Sequence, residues 1–558
     1  MVLDQLPNHD QLQDRIWDVC VVGTGPVGMS LAMELERLGR EVLLLEAGAT
    51  EVDPEKAVER RATIVDPLRH APMEIAVCRA LGGTSWTWGG RCVAYDDVDF
   101  MARNFVPDSD WPIRHEEIEP WYKPACEYLL CGDDTFQMPF RRELEAGLTV
   151  EFVERWATES RVILVHRQRL QTSERIKVFL NSTVIDLDLG QDGQSVQSVV
   201  VASPKGNAFI KARQIILAAG GVETTRLLLA AQRRWPDHFA GAGGPLGRYY
   251  MGHISGKIAS IALDDPGSIA DYDFTLDTNG AYYRRRFMLA PEVQLQNKLL
   301  NTAFWPDNPP FYDPGHGSGV LSAVFLALAT PPVGRRLLSE GIRLAHTGPR
   351  PYPLGAHLAN VVLGAPRAAE DMYTILRDRF IRKPKKPGFL VRNHGGRYAL
   401  HYHAEQVPNP DSRIVLTDDL DRYGVPRASI DLRFVDQDVR SVIDSHKLLD
   451  TALHTNKIGR LEFWYPPEEL DDRVMEQATD GYHQVGTTRM GDNPRNSVVD
   501  RNLKVHGVDN LYVASSSVFP TTGQANSTLL AVALAMRLAS RLRTAVDSLD
   551  HIALSNVS

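Results

Sequence analysis

Two rhythms of hydrophobic residues run along this chain, and its first fifty residues hold both. The stretch VCVV at 19–22 is an unbroken apolar run, suited to a strand buried on both faces. Gly23, Gly25 and Gly28 follow, and then Leu31, Ala32, Leu35 and Leu38 recur at helical spacing until Gly39 ends them. A second buried run, VLLL, fills 42–45. The pattern predicts strand, tight turn, helix and parallel strand. Strand rhythm returns at 175–189, and again at 208–231, where a buried run closes in IILAAGG and a helix. The first layer therefore resumes after an insertion.

The segments between these runs behave differently. ALGGTSWTWGGRCVAYDDVDF at 80–100 has the glycines and tryptophans of a loop wrapped around something flat, and 110–129 reads as a turn followed by a surface helix. From about 255 to 402, prolines, aromatics and histidines leave little clear period, which predicts a sheet with helical excursions. RIVLTDD and RASIDLRF read as strands, 436–455 as a helix, and STLLAVALAMRLASRL at 527–542 as another.

At 558 residues the chain exceeds one typical domain, so it forms two regions sharing an interface or one core with a large inserted layer. Acids and bases are interspersed with a net charge of -9, which argues against nucleic acid as a partner. The one short basic cluster, RKPKKPG at 382–388, reads as a solvated loop, with docking to an acidic partner or lipid head groups as the alternative. Five cysteines without C-x-x-C pairing suggest neither a disulfide framework nor a zinc site, so no metal is expected and a reducing, cytoplasmic setting fits. MVLDQLPNHDQLQDRI lacks the apolar centre of a secretory leader. The longest apolar run, VLSAVFLALA at 320–329, is too short to span a bilayer and reads as a buried helix.

The first unit carries chemistry. Gly23 permits the tight turn, Gly25 lets backbone amides approach a pyrophosphate, and Gly28 lets helix and strand pack closely. Pro26 and Val27 between the glycines are expected on the cofactor, and the N-terminus of the helix that follows favours the phosphate charge. Glu46 stands 18 residues after Gly28, beside Ala47, where a carboxylate accepts bonds from a ribose hydroxyl and repels a 2'-phosphate. NADP is thereby disfavoured. The unit alone does not separate NAD from FAD; its N-terminal position and the E-A-G at 46–48 lean to FAD.

The C-terminal segment has its own logic. HQVGTTRMG at 483–491 precedes VVD, the strand NLYVA, the turn SVFP and the helix start ANST. It resembles the C-terminal signature of the glucose-methanol-choline (GMC) oxidoreductases, and the first unit, GGTSWTWGG and ILAAGGVETTRLLL resemble that family in the same order. Pyranose oxidase-like and bacterial sugar dehydrogenase-like members are the nearest in kind. The resemblance implies an α/β fold: a Rossmann-like FAD-binding domain of the GMC and glutathione-reductase type, with an inserted α+β substrate domain built on an antiparallel sheet. The expected division is 1–254 and 481–558 for FAD, with a cofactor loop at 80–100, and 255–480 mainly for substrate.

A neutral imidazole suits removal of a hydroxyl proton, and His483 is the expected base. The resemblance makes Asn526 its partner at a helix start shared with Ser527 and Thr528, the helix dipole facing the flavin. It places Gly82, Gly83, Thr84, Ser85, Trp88 and Gly89 around the isoalloxazine, Val184 against the adenine, and Ala219, Gly220 and Ser515 on the cofactor. Thr87 stands where related enzymes carry a histidine bonded to the flavin, so FAD is expected to be non-covalent. His401 and His403 alternate along one strand face, toward the cavity or solvent, with Glu405 a candidate for substrate hydroxyls; His506 is expected to be exposed. The implied activity is oxidation of a sugar, glycoside or polyol, with oxygen or a separate carrier as electron acceptor. A non-sugar alcohol, a flavin-dependent lyase and a non-catalytic flavin-binding protein are the alternatives. Oligomeric state is not legible.

Overall fold

The computed structural model describes residues 1–4, 15–203 and 206–555, with side chains as far as 542. Most of the N-terminal stretch read above for a leader, residues 5–14, lies outside the described residues. The first unit folds as strand Ile16–Val22, helix Pro26–Arg37 and strand Val42–Leu45. Its apolar runs are buried because both faces of the sheet are covered.

Parallel neighbours build the centre of the main sheet. Ile176–Phe179, Val42–Leu45, Ile16–Val22, the second half of Gly206–Leu217 and Leu511–Val513 lie side by side in that order. Val22 pairs with Leu45 and Leu217, and Leu217 with Val513, so four strands end at one level. Crevices in open α/β sheets form at such ends. The first half of Gly206–Leu217 turns antiparallel, pairing with Val196–Ser203, which pairs with Thr183–Leu189. Helix Pro26–Arg37 packs against the C-terminal helix Thr528–Ser555, which also carries Glu119–Leu129. Leu31, Leu44, Ile216 and Leu530 are fully buried there, each such side chain contributing about 1.5–3 kcal/mol by leaving water.

The second large sheet runs Gly459–Phe463, His253–Leu263, Arg397–Ala404, Thr302–Asp307, Phe287–Leu289, Leu148–Thr149, with antiparallel neighbours throughout. Helix Asp436–Thr455 covers it through Val439, Val442, Ile443 and Leu449. The chain thus crosses into this layer at 148–149 before returning to the main sheet. Between its strands stand five helices from Gly319–Ala329 to Ala365–Leu376. The weak periodicity at 255–402 has a physical cause. The sheet strands are buried on both faces, and the helices are short, proline-broken and in part apolar on their outer side. Residues 320–329 lie within the first of these helices, with Phe325 fully buried. Among the described residues no single helix is long and apolar enough to cross a membrane.

Candidate active site

A cleft of about 620 Å³ opens where the parallel strands end, lined at its base by Val22, Leu45 and the residues that follow them. Its walls test whether a dinucleotide fits. Gly23, at φ 104, turns where an added Cβ would stand 2.5 Å from Ala218 O. At Gly28 the Cβ would meet Gly23 O at 2.1 Å, so helix and turn touch as a glycine alone permits. Gly25 is the opposite: its missing Cβ faces open space in the cleft. Gly83 closes over it, its own Cβ position 2.7 Å from Gly25 Cα. Pro26 at the helix start and Val27 complete this wall.

Glu46 is 5% exposed and held at both oxygens. Oε2 accepts from Thr24 N and Oγ1, and Oε1 accepts from Gly48 N at 2.8 Å. Burial pushes its carboxyl up against these bonds. Its remaining lone pairs and Ala47 border the cleft, as do Val184, Ala219 and Gly220. From the 80–100 loop Thr84, Ser85, Trp88 and Gly89 reach the cleft, with the Trp88 indole donating to Ser160 O. Gly82 and Trp86 do not. Gly82 backs onto Ile163, and the Trp86 indole donates to Leu81 O at 2.9 Å. Two helix N-termini, at Pro26 and Thr528, open on the cleft, so fixed donors, a ribose acceptor and a glycine cradle stand together. A pyrophosphate-bridged dinucleotide fits them.

His483 hangs on a strained corner. Gly481 and Tyr482 are both left-handed, at φ 55 and 61, and Tyr482 has no glycine freedom to make that easy. Asp480, buried, anchors the corner by accepting from Tyr482 N and Ala71 N. Asn526 Nδ2 donates to His483 Nε2 at 3.0 Å, across 43 residues of sequence. Asn526 Oδ1 is buried without a partner. Whichever way the amide is set, one polar atom is left for a ligand hydroxyl. Both residues border the cleft, with Ser515, Ser527 and Thr528.

Behind His483 lies a second imidazole the sequence did not reveal. His253, at the start of the strand His253–Leu263, has its Nδ1 2.8 Å from His483 Nδ1. With Nε2 of His483 accepting, its Nδ1–H donates to His253. His403 stacks on His253 with centroids 4.3 Å apart and donates from Nδ1 to Gln524 O. The three rings bring ligand nitrogens within 4.8 Å of one another, yet His483 Nδ1 and His253 Nδ1 are engaged with each other and His403 Nδ1 with Gln524 O, so they do not present three open lone pairs. All three are neutral. Burial, then Arg91, hold His483 down to about 4; burial holds His253 and His403 well below the usual range. Arg91, Arg284 and Arg286 stand around Glu154, Arg286 also beside Asp96 and Asp99, and burial holds Arg91 down to about 10.

Several expectations need correction. His403 faces neither cavity nor solvent and sits behind His253, whereas His401 stacks on Trp305, bonds Ser255 Oγ at 2.9 Å and keeps part of its ring in solvent, away from the cleft. Glu405 does not border the cleft; it is fully buried in a two-bond pair with Arg103 at 2.6 Å and accepts from Asn301 N. It lies just past the strand end, so alternation no longer sets its direction. His506 is half-buried, its Nε2 bonded to Ser497 Oγ. Cys78, Arg79, Tyr482, Gln484 and residues 339–342 also border the cleft. No motif in the chain singled them out.

A parallel sheet ending in a glycine cradle, a ribose acceptor and a neutral histidine paired with an amide define an FAD-dependent oxidoreductase. Comparison with known proteins agrees. Residues 408–535 match the GMC oxidoreductase family model and 17–80 an FAD binding domain model. Paromamine 6'-oxidase of Streptomyces fradiae is 32% identical over 94% of this chain and 91% of its own. Fructose dehydrogenase large subunit of Gluconobacter japonicus is 23% identical over 94% and 97%. 6'''-Hydroxyparomomycin C oxidase of Streptomyces lividus is 24% identical over 97% and 94%. The crystal structure of pyridoxine 4-oxidase from Mesorbium loti shares the fold, with TM-score 0.51 at 18% identity over 94% of this chain and 99% of that one. The chain belongs to the GMC oxidoreductase family, FAD enzymes acting on CH–OH donors.

Proposed function

We propose that the protein oxidises a hydroxyl group of a sugar, glycoside or other polyol to a carbonyl, with His483 as general base and Asn526 orienting the alcohol. Bound FAD supplies the acceptor for the hydride, at flavin N5. The rest falls to the chain's own residues. The observation that carries this is the 3.0 Å contact of Asn526 Nδ2 with His483 Nε2 on the cleft wall. A substrate oxygen entering between them accepts from the amide and gives its proton to Nε2. As Nε2 takes the proton, the His483 Nδ1–H to His253 bond becomes charge-assisted and holds the imidazolium in place. His253 is a positioning residue. The Arg91 guanidinium, which borders the cleft and acts on His483, favours an alkoxide as the proton leaves.

Relatives named for fructose, paromamine and 6'''-hydroxyparomomycin C support a carbohydrate substrate. Tyr482, 43% exposed beside His483, offers a sugar ring an aromatic face. Non-covalent FAD is supported by Thr87, which has no ring nitrogen, and by Cys78, whose thiol burial pushes up and so makes a poor nucleophile. We assign 1–254 and 481–558 to the cofactor and 255–480 mainly to the substrate, supported by the cleft's position at the strand ends. Five free thiols support a reducing, cytoplasmic setting.

The test is anaerobic addition of a carbohydrate panel to FAD-loaded protein. At least one sugar should bleach the flavin absorbance, and His483→Ala should keep its FAD while bleaching about 100- to 10,000-fold more slowly. Near-normal bleaching in that variant removes His483 from the chemistry; bleaching only by non-sugar alcohols replaces the substrate class. Readmitting air then separates oxygen from a separate carrier.

A further inference from the structure

The helices at 319–376 include one that is inside out. Helix Leu354–Leu363 turns its polar residues inward: His357 Nδ1 bonds Ser322 Oγ, and Asn360 Nδ2 donates to Pro314 O and Ser322 Oγ. Of its side chains only His357 is buried. Leu358, Val362 and Leu363 point outward, 55%, 73% and 84% exposed. A helix in water normally shows the reverse. The apolar face continues. Helix Ala365–Leu376 packs Ala368, Met372 and Ile375 inward yet leaves Tyr373 65% exposed, and Phe380 and Ile381 stand 55% and 72% exposed beyond it. Of the 26 exposed large hydrophobics in the described chain, 11 lie within residues 333–381, too dense for ordinary surface scatter.

Charge states what covers this face. Residues 331–388 hold eleven Arg and Lys against four Asp and Glu, in a chain whose net charge is -9. Arg382, Lys383 and Lys385 are exposed immediately after Phe380 and Ile381. Apolar side chains with a basic fringe, on helices too short to cross, match an interfacial membrane element. We infer that the surface of 354–386 docks this protein onto a bilayer carrying anionic lipid. Residues 339–341 of the same helical region border the flavin cleft.

Co-sedimentation of the FAD-loaded full chain with phosphatidylcholine vesicles, with and without phosphatidylglycerol, at low and high salt, tests this. Binding is expected with phosphatidylglycerol at low salt and should weaken as salt rises. Lys383→Glu/Lys385→Glu should lower partitioning at least about tenfold. Val362→Glu/Leu363→Glu should lower it roughly a hundredfold or more, without touching the core. No binding to either vesicle, or binding unchanged in both variants, overturns the inference. Self-association in solution that Val362→Glu/Leu363→Glu abolishes, without vesicle binding, assigns the face to a second copy instead.

Discussion

Acid tests the surroundings of His483 more sharply than substitution does. The imidazole is half-buried in the cleft wall, and desolvation there with the Arg91 guanidinium brings its pKa to about 4 against 6.5 in water. The difference corresponds to about 3 kcal/mol against the charged form. Protonation removes the lone pair that takes the substrate proton, so activity is present above the folded value and lost as pH falls through it. At pH 5 about nine-tenths of His483 is still neutral, whereas an ordinary histidine keeps only about 3%. Between pH 7 and pH 5 the second-order rate of flavin reduction should therefore fall by roughly a tenth, where a solvated base would lose about 25-fold. Anaerobic stopped-flow reduction at low substrate measures this limb in the free enzyme. A limb centred between pH 6 and 7 that disappears in His483→Ala would refute the desolvated, arginine-flanked environment. Arg91→Met should move the limb upward in pH.

Four other outcomes follow from the same geometry. His253→Phe should retain FAD but slow reduction about 10- to 100-fold, the range for partners that fix a histidine tautomer; an unchanged rate shows that His253 only packs. Gly28→Ala forces a methyl against Gly23 O, and purified protein should carry markedly less flavin per chain. Arg103→Met strands the Glu405 carboxylate and should cost about 3–5 kcal/mol in urea unfolding; a loss under 1 kcal/mol would mean the charge finds other support. His446, buried with its pKa at about 4, is neutral when folded and takes a proton when unfolded below 6.5. Its contribution is present above that pH and lost on falling toward 4, about 2 kcal/mol by pH 5, and His446→Leu should remove that share from the acid dependence of the urea midpoint.

Order that is set within a few residues could be read along the chain. VCVV, the three glycines and VLLL specify a strand, a turn and a parallel strand because burial pattern and backbone freedom act over a few residues, and the observed unit follows them closely. HQVGTTRMG and ANST likewise marked His483 and Asn526 without any knowledge of their distance. Tertiary structure alone decided what meets across hundreds of residues. His253 reaches His483 from 230 positions away because one strand of the second sheet begins beside the Gly481–Tyr482 corner, and no spacing encodes that. Glu405 looked like a ligand for hydroxyls until Arg103, 302 residues distant, was found against it. Helix 354–363 keeps its apolar residues to one side, and that this side faces outward is a property of the packed molecule. Periodicity records which residues avoid water; only the assembled chain shows where the water is.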